Sequence, residues 1–318
     1  MTTPTGSTSR RQWLQTAGAV AAGAAFMTSA SPAQAAAPTA KDFRFCLNMS
    51  TIRGQNLDAA EEIEVAAKAG YDGIEPWIRK LREYLDKKQG SLKDLRKRLE
   101  DHNLTVESAI GFAPWIVDDP QRRAQGLEEA KRDMDMIAKL GGKRIAAPPA
   151  GVPRGKKVEL SAAAERYAKL LEIGDQTGVT PQVEMWGGNP SIGKVGAAIY
   201  VAVECGHPKA CFLGDVYHAY KGGSDFDGLK LLSPQALQVF HYNDYPADPP
   251  RETIGDRHRV FPGDGIAPLT EILQNFLAVG AAPVLSLELF NPEYWKMNAL
   301  EAAKIGIEKM KASVAKLG

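Results

Sequence analysis

The chain has 318 residues, of which 44% are apolar and 24% charged, values of a globular protein with a sizeable core rather than a disordered or fibrous chain. Its 39 basic and 38 acidic residues leave a net charge of +1, so no global field favours nucleic acid or an anionic membrane. Three cysteines, Cys46, Cys205 and Cys211, are too few for a disulfide scaffold and lack metal-type spacing.

The N-terminal stretch Ser9-Arg10-Arg11-Gln12-Trp13-Leu14 precedes a small-residue, weakly apolar run that reaches about Ala30. Pro32-Ala33-Gln34-Ala35 then offers a small-x-small cleavage site. Residues 1–35 therefore read as a twin-arginine signal peptide and residues 36–318 as a single domain. The run is rich in Ala and Gly and short for a spanning helix. The expectation is export to the periplasm or exterior with no stable membrane anchor after processing; a retained anchor or an unstructured tail is the alternative.

From Asp42 onward, short apolar runs alternate with amphipathic stretches. The first run is Phe43 to Met49, followed by a helical stretch from Asp58 to Ala69 that ends at Gly70, a suitable C-cap. Tyr71 to Trp77 reads as the second strand, Ser91 to His102 as a charged helix, and Leu104 to Ile110 as the third strand. A helix over Gln121 to Leu140 leads to a strand at Arg144 to Ala147, and a helix over Leu160 to Thr177 leads to the strand ending at Glu184. Ser191 to Cys205 precedes the strand ending at Asp215, and Asp225 to Leu232 the strand ending at His241. Pro268 to Val279 precedes the strand ending at Glu288, and Ala299 to Leu317 closes the chain. Eight such units without a linker predict an α/β fold, a closed (β/α)8 TIM barrel. A doubly wound open sheet is the alternative, but no Gly-x-Gly-x-x-Gly follows an early strand.

Four of these strands end on metal-type side chains: Glu184, Asp215, His241 and Glu288. Three carboxylates and one imidazole form a hard donor set that suits one divalent cation, Mn²⁺, Mg²⁺, Co²⁺ or Zn²⁺. In a barrel, the C-terminal strand ends form the active face, where all four fall. Trp77, Trp115 and Trp186 each follow a strand on that face and could wall a carbohydrate site. Glu75, at the second strand end, is a candidate for reaching substrate, and Asp244 for holding the metal histidine or a loop.

These residues resemble the xylose-isomerase-like barrel superfamily of sugar isomerases, epimerases and endonuclease IV. The resemblance rests on Glu184, Asp215-Val216-Tyr217-His218, His241-Tyr242-Asn243-Asp244, Asp256-Arg257-His258-Arg259 with Pro262-Gly263-Asp264-Gly265, and Glu288. It implies that Glu184, Asp215, His241 and Glu288 bind one cation, and that His218 and an arginine, Arg259 first and Arg257 second, contact substrate. It further implies that Glu184 and Glu288 exchange the proton next to a substrate carbonyl while the cation stabilises the enediolate. Asp256 and His258 resemble the extra zinc ligands of endonuclease IV. That class also needs histidines on the second and third strands, where this chain has Glu75 and Glu107, and a basic surplus for DNA that this chain lacks.

The function expected is an exported, metal-dependent sugar isomerase or epimerase acting on a small carbohydrate or cyclitol, with no nucleic-acid partner. A lyase that dehydrates keto-cyclitols or cleaves 3-keto-glycosides with the same cage is the alternative. An endonuclease IV-like phosphodiesterase or a silent sugar-binding protein stands behind both. Oligomeric state stays open.

Overall fold

A computed structural model describes residues 36–318 apart from Lys88; the expected signal segment, residues 1–35, lies outside the described residues. Eight strands follow in chain order: β1 (Phe45–Asn48), β2 (Gly73–Glu75), β3 (Thr105–Val106), β4 (Arg144–Ala147), β5 (Thr180–Glu184), β6 (Phe212–Asp215), β7 (Leu237–His241) and β8 (Val284–Leu287). They lie side by side in the order β3-β2-β1-β8-β7-β6-β5-β4, and every ladder is parallel. The two ends of this curled sheet meet where the Ala146 amide donates to the Ala109 carbonyl at 2.8 Å. The result is the expected (β/α)8 barrel.

β3 is much shorter than the run Leu104 to Ile110 suggests. Pro76, just past β2, has no N–H to continue the ladder. Glu107 still donates to Ile74 O and Ile110 to Pro76 O, so the chain follows its neighbour without regular pairing.

The helices are α1 (Ala59–Ala69), α2 (Ile78–Asp86), α3 (Leu92–Asp101), α4 (Pro120–Lys139), α5 (Leu160–Thr177), α6 (Val195–Glu204), α7 (Val216–Gly222), α8 (Leu269–Ala278) and α9 (Ala299–Val314). The starts of α1 and α3 are capping boxes, with Asp58 and Ser91 each taking an amide three residues on; each cap contributes about 1 kcal/mol. Gly70 ends α1 at φ 88°, as expected. α2 and α7 lie outside the sequence expectations, and the segment before β7 is a 3-10 turn over Phe226–Leu231. Between sheet and helices, Phe240 packs edge-on against Phe276 of α8 (4.9 Å) and near Phe212 of β6 (6.5 Å). Cys46 and Cys211 are buried, and all three cysteines are free thiols. No helix of the described residues is long and apolar enough to cross a membrane.

Glu62, in the first turn of α1, is only 3% exposed. Burial pushes its pKa up to about 8, with Lys80 only partly offsetting the cost and Asp58, Glu61 and Glu83 adding to it. An unfolded chain releases this proton near pH 4.5, whereas the folded chain keeps it to about 8. Stability from this group is therefore present below pH 4.5 and is lost as pH rises toward 8. Replacing Glu62 by Gln removes the loss: the Tm advantage of Glu62→Gln over wild type should grow steadily between pH 5 and pH 8. A difference that stays flat across that range would exclude this role for Glu62.

Candidate active site

The site forms where β5 to β8 end. Asp215 closes β6 and also caps α7, its Oδ1 accepting the His218 amide at 2.8 Å. One residue thus ends a strand, starts a helix and faces the barrel mouth. Asp215 pairs in register with His241 at the end of β7. Glu288 follows β8, and one ligand atom from each of Asp215, His241 and Glu288 lies within 4.8 Å of the others. All three are buried.

His241 is the pivot. Its Nε2 lies 3.1 Å from Glu75 Oε2, and Ser286 Oγ (2.6 Å) and Asn48 Nδ2 (2.8 Å) donate to that same carboxylate oxygen. In the neutral form that a cation would select, the proton on Nε2 goes to Glu75 and the Nδ1 lone pair faces Asp215 and Glu288. Nδ1 has no hydrogen-bond partner, although Glu288 Oε2 lies 3.2 Å and Asp215 Oδ2 3.6 Å away. A buried nitrogen without a partner, facing two carboxylate oxygens, fits a divalent cation.

The charge is balanced by Arg259. Its NH1 donates to Asp215 Oδ2 and to Glu288 Oε2, both at 2.8 Å, and its NH2 donates to Asp256 Oδ1 at 2.5 Å. The guanidinium is itself buried and lies over the Tyr217 ring at 4.4 Å. Burial alone would raise the Asp215 pKa, but Arg259, His218 and His241 outweigh it and hold the carboxyl well below the usual range. Burial would likewise lower His241, but the Glu288 and Glu75 carboxylates overcome this and raise it well above the usual imidazole value. The carboxylates of Glu288, Glu75 and Asp215 thus favour positive charge at the position of His241.

Glu184, at the end of β5, behaves differently. Burial, reinforced by Glu288 and Glu75 and only partly offset by His241, raises its pKa to about 8. Its Oε1 accepts the Trp186 indole N–H at 3.0 Å. Glu184, Glu288, His218, Asp256 and Arg259 line one cavity of about 680 Å³ with Trp77, Phe112, Trp186 and Phe290.

The sequence profile described as xylose isomerase-like TIM barrel matches residues 63–313. The chain belongs to this family. Within it, an inosose isomerase of Bacillus velezensis is 28% identical over 278 residues, covering 86% of this chain and 98% of that protein. A 3-dehydroshikimate dehydratase of Pseudomonas aeruginosa is 27% identical over 240 residues, covering 73% of this chain and 36% of that protein. The crystal structure of the IolI protein with a bound zinc atom superposes with a TM-score of 0.81 at 26% identity, covering 87% of this chain and 99% of that one.

Among the sequence-derived candidates of this xylose isomerase-like barrel, Asp215, His241 and Glu288 converge, with Glu184, His218, Arg259, Trp77 and Trp186 in the same cavity wall. Others have different places. Glu75 has no exposed surface, so it orients His241 instead of reaching substrate. Trp115 is 1% exposed and packs on Tyr167, its indole N–H donating to Pro148 O at 2.8 Å; it belongs to the core. His258 caps its own turn through Gly255 N (2.9 Å) and stands apart from the cluster, and Asp256 is committed to Arg259. Asp244 holds a loop: its carboxylate accepts the amides of Tyr245, Gly263, Gly265 and Ala267. A Cβ on Gly265 would stand 2.3 Å from Asp244 Oδ1, which explains the glycine there. Phe112 and Phe290 also line the cavity; both sit in irregular loops, Phe290 two residues past Glu288, where no periodicity marks a side chain as facing the site.

If Glu75 sets the tautomer of His241, Glu75→Ala should weaken divalent-cation affinity about 10- to 100-fold. Chelator competition with Mn²⁺ or Zn²⁺ reads this directly. Unchanged affinity would show that the Glu75–His241 contact does not prepare the nitrogen.

Proposed function

We infer that this chain is an exported, divalent-cation-dependent isomerase or epimerase of a keto sugar or cyclitol, working by proton transfer next to a carbonyl. The observation that carries the reading is the unlike setting of two glutamates around one cluster. Glu184 and Glu288 come from strands separated by β6 and β7 and line the same cavity. Burial raises the Glu184 pKa to about 8 in the cation-free site, while Glu288 accepts from both Arg259 and Asn48.

Such a pair divides proton removal and return between two positions. Glu288 takes the proton from the carbon beside the carbonyl. Glu184, with Oε1 committed to Trp186, presents the proton on Oε2. His218 accepts the Gly187 amide on Nδ1 (3.1 Å) and has Arg259 NH2 2.9 Å from Nε2, which fixes its ring in the cavity wall beside Glu184 and Glu288. Asp215, His241 and Glu288, with Glu184 beside them, would hold the cation, which supplies positive charge where the carbonyl oxygen becomes negative.

The inosose isomerase relatives support the isomerase outcome over 86% of this chain. A second reading, dehydration, is favoured by the dehydratase relative; it shares the first proton removal and then loses a β-hydroxyl. Export rests on the paired arginines and small-residue run before Ala35.

The test is solvent exchange: mature protein, Mn²⁺, D₂O, and a panel of ketoses with scyllo-inosose. Deuterium appearing next to the carbonyl with the skeleton intact is expected, and loss of water would move the reading to dehydratase. Glu184→Gln should reduce exchange by about 100-fold or more; full turnover in that variant would remove Glu184 as the acid. No exchange and no binding across the panel, with metal present, would overturn the isomerase reading.

A further inference from the structure

The open cavity is larger than one ring needs, and its lining includes four aromatic rings beside the carboxylates. A cyclitol or hexose has twelve heavy atoms; at no more than roughly 30 Å³ each, the share of a liquid water, it fills at most about 360 Å³. The cavity measures about 680 Å³. Beyond the carboxylate cluster, four rings stand in sequence: Trp186 lies 6.1 Å from Phe112, Phe112 5.3 Å from Trp77, and Trp77 6.2 Å from Phe290. Phe112 is 44% exposed, one of the few large apolar side chains among the described residues left so open. An exposed phenyl ring inside a concave site, flanked by two indoles, is surface kept for a ligand.

We propose that the substrate is a keto ring carrying a second ring, an aryl or glycosyl substituent, which lies on Phe112 between Trp77 and Trp186. This rests on the isomerase or dehydratase reading above and names the substrate class for that site. The reacting ring sits by Glu184, Glu288 and His218. The substituent extends along the Trp186–Phe112–Trp77 arc, toward the loop of Val152, Pro153 and Arg154. The Trp186 indole N–H is bonded to Glu184 Oε1, so a ring stacked on Trp186 also fixes the acid. Binding energy from the remote ring is thereby spent on orientation at the reacting carbon.

The experiment uses the full mature protein with Mn²⁺ and two probes that share a reacting ring: the methyl and phenyl β-glucosides oxidised to the ketone at carbon 3. Calorimetry reads binding, and deuterium uptake reads chemistry, with scyllo-inosose as the one-ring reference. The phenyl compound is expected to bind at least tenfold more tightly than the methyl compound, about 1.4 kcal/mol. Phe112→Ala should reduce that preference to within about threefold. Phe112→Leu, which keeps apolar area without the ring face, should fall between. Equal affinity of the two glycosides in wild type, or a preference unchanged in Phe112→Ala, overturns the two-ring substrate while exchange on scyllo-inosose leaves the isomerase reading standing. Absence of binding and exchange with all three probes would instead count against the function itself.

Discussion

Everything at the mouth of this barrel depends on how one guanidinium meets two buried carboxylates. Asp215 and Glu288 share Arg259 NH1 at 2.8 Å each, in a setting where isolated charges would cost several kcal/mol apiece. Removing one partner of such an arrangement is destabilising by about 3–5 kcal/mol, because the remaining charges stay buried without compensation. Asp215, Glu288, Glu75 and Asp256 thus surround two cationic groups, Arg259 and His241. A dication placed among the same oxygens would let His241 return to its neutral form, and the unpartnered Nδ1 is already aimed for it.

Arg259 can do this only because its loop is rigid. Its neighbour Val260 exchanges backbone hydrogen bonds with Asp244 in both directions, at 3.0 and 2.9 Å. Asp244 then gathers the amides of the Pro-Gly-Asp-Gly turn that follows. Asn291 donates to the Arg259 carbonyl at 3.0 Å and ties it to the loop after β8. The motif around Asp244 thus acts at a distance: it sets where the guanidinium stands, and through it the charge state of Asp215.

Much of the barrel was legible because its signals are local. Each late strand is an apolar run that stops at a polar residue, and the stop falls on the active face by the geometry of parallel β/α units. That is why Asp215, His241 and Glu288 could be recognised before their contacts were known. Glu75 shows the limit. It ends β2 in the same manner, yet its carboxylate turns to His241, 166 residues away in the chain, and never meets the cavity. Trp115 and Trp186 both follow strands; one folds back under the loop to reach Pro148, the other bonds Glu184. Such differences arise in irregular loops, where no periodicity fixes side-chain direction. α7 carries no separate sequence signal because its cap, Asp215, is also the end of β6, so strand and helix have no turn between them.

The aromatic wall and Glu184 are joined by one side chain. Trp186 packs toward Phe112 with its ring and holds Glu184 with its nitrogen, so aromatic contact and proton position are set by the same side chain. Burial is the main cause that raises the Glu184 pKa, and the residue lines the same cavity as the aromatic wall. If Glu184 is the acid proposed above, recognition of a substrate's outer part and placement of that acid are linked through one indole.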